Sequence, residues 1–146
     1  MEKVAFALDV KDGWPPVAVE HVWCERTDGV YQLKNAPFFV EGLAHGDKFT
    51  AEPDSVNGCI FEFTVVESSG HSLVWVLELD RHLLGSFKQE LLTLGCSIEG
   101  FPKFGLHSVD VPAAVDAKAL NKSIVGMEAS GLSLAFPIWR HEAHAA

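Results

Sequence analysis

Hydrophobic and polar positions alternate with a period of two through the first half of the chain and change to a helical period in parts of the second. Val17, Val19, His21 and Trp23 alternate with Ala18, Glu20, Val22 and Cys24, and Asp28-Gly29 then turns the chain into residues 30–33, which predicts a hairpin. Further strands are predicted over 3–8, 48–52 and, after the turn signal Asn57-Gly58, 59–66. In the last of these Cys59, Phe61, Phe63 and Val65 would share one face, with Glu62 and Thr64 on the other. Short strands at this spacing predict a small closed or half-closed barrel.

Beyond residue 70 a nearly continuous apolar run over 73–79 reads as a central strand. Leu84, Phe87, Leu91 and Leu94 follow at helical spacing, with Gly95 placed to end the helix in a left-handed cap. Strands are predicted over 97–101 and 106–111. A second helix starts with Asp116 as N-cap, continues through Ala117, Leu120, Ile124 and Met127, and closes at Gly131. Leu132, Leu134, Phe136 and Ile138 then alternate with polar and small residues, and Pro137 assigns that strand to an edge because it lacks a ladder donor. The expected fold class is α+β: an N-terminal small β-barrel lobe (1–70) packed on a C-terminal ferredoxin-like lobe of order βαββαβ (71–141), with 142–146 as a frayed tail.

Charge changes the picture more than composition does. Of the 146 residues, 1–80 hold 14 Asp and Glu against 5 Lys and Arg, whereas 81–146 hold 6 of each, so the excess of −9 sits in the first part. That field repels phosphates and anionic lipid and speeds encounter with a basic partner. No nucleic-acid or membrane partner is expected. The first 12 residues lack the apolar core and cleavage site of a signal peptide, and no run approaches the ~20 apolar residues that span a bilayer, so a cytoplasmic location is the expectation. Cys24, Cys59 and Cys96 are odd in number and far apart, as suits small buried hydrophobes better than a disulfide or metal framework.

The segment NAPFFVEGLAHGDKFTAEP holds His45 and Asp47, which could form an acid/base pair. Gly42, Gly46 and Asp47 are also what a tight turn into a barrel strand needs, and that reading takes precedence. Ser69-Gly70-His71-Ser72 contains no nucleophile elbow, and His71 is expected to fix the lobe junction. His141-Glu142-Ala143-His144 has i, i+3 spacing, not that of the zinc motif HExxH. His107 has Asp110 three positions on, a spacing that puts the two on opposite faces of a strand. The RNA-recognition fold shares the βαββαβ order, but 103–110 offers one aromatic and an acid where base-stacking aromatics are needed. No catalytic residue, metal ligand or cofactor is assigned.

A surface remains. Trp14, Phe38 and Phe39 lie in proline-rich turns, where one phenylalanine at least is expected to plug the barrel end. Carboxylates surround them: Glu41, Asp47, Glu52, Asp54, Glu62 and Glu67. Aromatic anchors rimmed by acids suit a protein partner with a basic face.

Tyr31 to Phe39 (YQLKNAPFF), Gly42-Leu43-Ala44, Gly46-Asp47, Ala51-Glu52-Pro53, Ser69-Gly70-His71-Ser72, Gly95 to Pro102 (GCSIEGFP) and Val109-Asp110-Val111-Pro112 resemble, in order and at natural spacing, the bacterial family named domain of unknown function 4265. The resemblance runs from about Trp14 to Pro112 and implies a bacterial cytosolic protein; it carries no activity or catalytic residue. Two functions are expected. The first is a non-enzymatic immunity protein that blocks the active site of a toxin domain, such as a nuclease. The second is a small enzyme or ligand-binding regulator with a pocket at the lobe junction near Asp47, His71 and Cys96.

Overall fold

The hairpin at Asp28-Gly29 forms with positive φ at both residues, 53° and 80°, the combination that a two-residue turn between right-twisted strands requires. In the computed structural model, which describes residues 1–78 and 83–142, it joins β2 (Val19–Thr27) to β3 (Val30–Leu33). β1 (Glu2–Ala7) flanks β2, and β4 (Lys48–Ala51) and β5 (Phe63–Glu67) follow β3 in an antiparallel sheet ordered β1-β2-β3-β4-β5. Val22 and Cys24 of β2, Leu33 of β3 and Phe49 of β4 point to one core. Phe49 lies within that core against Phe6, Tyr31 and Phe63, with ring centroids 5.7, 5.2 and 5.8 Å away.

The expected barrel does not close: β1 and β5 are the two edges of the sheet. The single strand expected over 59–66 is broken as well. Ile60 makes an isolated parallel bridge to Phe6, and pairing with β4 begins at Phe63. The cause is side-chain parity. Ile60 is buried and Phe63 packs on the same core although the two are three positions apart, which one extended strand cannot achieve. The chain kinks between them and Phe61 turns outward, 61% exposed.

The chain divides into two compact units, Met1–Ser69 and Gly70–Ala146. The second contains β6 (Ser72–Leu77), α1 (Gly85–Leu94), β7 (Ser97–Phe101), β8 (Leu106–Val111), α2 (Ala117–Ala129) and β9 (Ser133–Ile138). Its sheet runs β7-β8-β6-β9 with every neighbouring pair antiparallel, so β8 sits between the strands that α1 connects. Leu91 of α1 and Leu120, Ile124 and Met127 of α2 cover Val74, Val76, Val109 and Val111. The protein is thus a mixed α+β molecule with two antiparallel sheets.

Local signals account for the ends of these elements. Gly95, at φ 106°, ends α1 with its own N–H on Leu92 O and that of Cys96 on Leu91 O. Asp116 caps α2 by accepting from Ala119 N, and Gly131, at φ 104°, follows its end. Pro137 lies on edge strand β9 where the register with β6 slips by one residue, so its missing donor breaks no regular ladder. β6 ends at Leu77, so Glu78 lies beyond the strand expected over 73–79; residue 79 falls outside the described residues, as do His144 and all but Glu142 of the expected tail. Among the described residues no helix is long and apolar enough to cross a membrane.

Gly105 shows where the fold tolerates no side chain. It sits at φ 63° after a short turn of 3-10 helix, Pro102–Phe104, and accepts a hydrogen bond from Glu78 N at 2.8 Å. A Cβ there would collide with the Glu78 carbonyl oxygen, whereas one at Gly58, φ 73°, would meet nothing within 4 Å. Gly105→Ala should therefore lower stability by about 2–3 kcal/mol, and Gly58→Ala by about 1 kcal/mol, as read from urea midpoints. Equal costs would contradict the role given to close approach.

Candidate functional site

Between β3 and β4 the chain runs without regular structure yet buries Ala36, Phe39, Val40, Leu43 and Ala44. Buried amides need acceptors. Glu20, 8% exposed on the inward face of β2, supplies them: one carboxylate oxygen accepts from Phe38 N at 2.7 Å, the other from Phe39 N and Val40 N at 2.8 and 2.9 Å. The sequence alone does not single out Glu20, because both faces of β2 carry apolar residues; the structure turns the Glu20, Val22 and Cys24 face inward. Burial pushes its carboxyl above the ordinary range, and the three amides pull it only part of the way back.

Asp47 performs the same service at the other end of the loop. It is fully buried, with one oxygen accepting from Ala44 N (3.0 Å) and the other from Ser69 N and Ser69 Oγ (2.9 and 3.0 Å). Gly46, at φ 88°, makes the turn, and Asp47 closes it by accepting from Ala44 N, three positions before it. This takes Asp47 off any partner-facing surface. Phe39 is buried as well, with the exposed Trp14 ring edge-on to it at 5.8 Å; Phe38 is half-buried.

The remaining carboxylates face outward. Glu41, Glu52, Glu62 and Glu67 are exposed and Asp54 is half-exposed, one of its oxygens accepting from Val56 N and Asn57 N. Glu52, Asp54 and Glu62 line one open groove of about 1060 Å³ together with Phe61, Phe63, Thr50 and Thr64. Glu67 belongs to a second, of about 680 Å³, where the cross-strand row Glu25, Gln32, Lys48, Glu67 crosses the sheet. Lys48 pairs with Glu67 at 3.2 Å and Lys34 with Glu25 at 3.6 Å, both at partly exposed positions where such pairs add little stability. Glu41 lines neither groove. Phe61 faces outward, whereas an unbroken strand over 59–66 would put it on the same face as the core-packed Phe63.

The second unit holds the polar side chains nearest to acid/base chemistry. His71 Nδ1 lies 2.8 Å from Asp110 Oδ1, with the imidazole part-exposed and the carboxylate buried. The register that puts Leu73 opposite Asp110 makes this pairing possible, and three-residue spacing from His107 gave no hint of it. Burial and the Asp110 charge push the Cys96 thiol up to about 11, which keeps it from being a thiolate nucleophile near neutral pH. Burial and the Glu2 charge push Cys24 up to about 12, and all three cysteines are buried and free.

Ser72 and His141 form a 2.6 Å pair that resembles a nucleophile and its base. His141 Nε2 lies 2.8 Å from the Pro112 carbonyl, so Nε2 carries the proton and Nδ1 accepts from the Ser72 hydroxyl. Ser72 Oγ also accepts from Arg140 N at 2.7 Å and is fully buried. The pair ties the segment that follows β9 to β6 and to the residue after β8 instead of presenting a nucleophile. Among the described residues, no buried side-chain nitrogen or oxygen lacks a hydrogen-bond partner.

A family model described as a domain of unknown function (DUF4265) matches residues 20–134. A crystal structure described as that of a hypothetical protein from Neisseria gonorrhoeae is similar in fold, with a TM-score of 0.68 at 19% identity over 94% of this chain and 96% of that one. No curated protein matches the chain.

Glu20→Gln should lower stability by about 1–3 kcal/mol, because a carboxamide turns N–H groups toward amides that need an acceptor. A carboxyl raised on folding favours the folded state while protonated; that contribution is complete below the ordinary value of 4.5 and is lost as pH rises through the folded value. The stability difference between the wild type and the non-titrating variant should therefore be larger in mild acid and shrink as pH rises, measured by urea unfolding from about pH 4 to about pH 7. A difference that grows with pH would overturn this account of Glu20.

Proposed function

The chain belongs to the DUF4265 family, whose description names no activity, and from the geometry of its first unit we propose that it is a non-enzymatic acidic binding protein for a basic protein partner. The observation that carries this reading is the groove that Glu52, Asp54 and Glu62 line together with the exposed Phe61. An aromatic ring can anchor in a partner's pocket while carboxylates at the rim steer and orient it. Residues 1–69 hold 12 acidic and 5 basic side chains, so the field of the unit has the same sign as the groove.

In its most specific form the proposal is an immunity protein, acting in a bacterial cytoplasm, that covers the active site of a toxin domain. A nuclease is the partner class of choice, because enzymes that hold phosphate backbones carry basic faces. The fold reading that accompanies it is finer than two antiparallel sheets: a half-closed barrel, supported by the Ile60 bridge to Phe6, and a ferredoxin-like unit, supported by the order β7-β8-β6-β9.

Co-expression with a toxin domain encoded beside the gene tests the immunity form; absence of such a neighbour, or failure to protect against it, would sink it. With that domain as partner, Glu52→Lys combined with Glu62→Lys should slow association by about tenfold or more and flatten its salt dependence, with the circular dichroism spectrum unchanged. Unaltered association kinetics would remove the groove from the interface.

His71 and Asp110 favour a second reading, a small enzyme or ligand-binding regulator that uses the pair for proton transfer. Turnover in a panel of ester and phosphate-ester substrates that falls about 100-fold in both His71→Asn and Asp110→Asn would decide for it. Turnover indifferent to both would end it.

A further inference from the structure

β5 is an edge strand that pairs with β4 alone among the described residues. Thr64, Val65, Val66 and Glu67 are all exposed, Val65 at 37% and Val66 at 54%, so side chains on both faces of the strand meet solvent. Its sequence, Phe63-Thr64-Val65-Val66-Glu67, is made of strong strand formers. Edge strands are ordinarily blunted by proline, by a covering segment or by a bulge. Here β1 is partly covered by Ile60, and β9 carries Pro137 in a register slip. β5 has no proline, and its single register irregularity lies at the Val66 end, leaving Phe63, Thr64 and Val65 in regular pairing with Ala51, Thr50 and Phe49.

We propose that β5 is a docking edge, and that its occupant is an extended basic segment of a partner protein that adds to the sheet as a further strand. Main-chain hydrogen bonds to an edge provide affinity without selecting a sequence, and side chains that alternate across the new strand provide the selection. Charge makes that selection here. Glu62 immediately precedes β5 and Glu67 ends it, so lysines or arginines toward the two ends of an added strand meet carboxylates, while Glu52 and Asp54, on the β4 side of the groove that Glu62 lines, add to the field. A second copy of the chain is the poorer occupant, because pairing two β5 edges brings together two units that each hold 12 acidic and 5 basic residues. This inference rests on the basic-partner reading and adds to it the mode of binding.

The probe is a heptapeptide of alternating lysine and valine, compared with two derivatives N-methylated on alternate amides, one set for each side of the strand. With the unmodified full chain, calorimetry should show that one derivative binds like the parent while the other is weakened about tenfold, the loss of one to two backbone hydrogen bonds. Backbone amide resonances of residues 63–67 should shift with the parent peptide. Equal binding by all three peptides would mean that charge alone holds them and would overturn strand addition while leaving the basic-partner reading intact. No binding by any of them at low salt would overturn both. Self-association of the chain that perturbs residues 63–67 in the absence of peptide would replace the basic segment by a second copy and overturn the occupant proposed.

Discussion

A loop that is buried without being helix or strand must find acceptors for its amides elsewhere, and in the first unit two carboxylates provide them. Glu20 takes the N–H groups of Phe38, Phe39 and Val40; Asp47 takes those of Ala44 and Ser69. Each amide left unpaired in such a place would cost about 1–3 kcal/mol. The loop in turn lays Val40 and Leu43 against Phe49 and Leu33, so the core of the sheet depends on two side chains that are not themselves apolar. The Trp14 ring meets Phe39 edge-on from outside, which places the first proline-rich turn against the same loop.

This dependence explains what could be read in the sequence and what could not. Elements whose ends are marked by local chemistry were legible: the Asp28-Gly29 turn, the Gly95 and Gly131 stops, the Asp116 cap and the edge position of Pro137 all follow from one or two residues. Those governed by distant partners were not. Residues 59–66 look like one strand until Ile60 is claimed by Phe6 of β1, which no local pattern announces. Glu20 reads as one more polar position in an alternating strand, and its meaning depends on a loop eighteen residues away. Asp110 likewise gains His71 as partner through a strand register across thirty-nine residues.

The outward surface had a mixed outcome for the same reason. Acidity and exposure go together for Glu41, Glu52, Glu62 and Glu67, because an unpaired charge is costly to bury and stays in water by default. Asp47 shared their residue class and their stretch of chain but lies in the interior, since a turn with glycine before it and free amides near it can satisfy a carboxylate completely. Phe61 and Phe63 show the apolar counterpart. Two residues apart, they would share a face in any regular strand, yet the kink after Ile60 sends one out and keeps the other against the core.

Two sets of acids among the described residues thus have different physical tasks. Glu20, Asp47 and Asp110 are buried, and each has acceptor positions occupied by backbone amides, a serine or a histidine. Substitution there alters the scaffold. Glu52 and Glu62 lie at the surface of a groove, where a change of sign alters the local field and leaves the core contacts untouched. Long-range attraction depends on the sum of exposed charges, while orientation depends on where an aromatic ring and an open strand edge lie among them. Exchanging Glu52 and Glu62 would alter that field without touching the bonds that hold the buried loop, because those pass through Glu20 and Asp47.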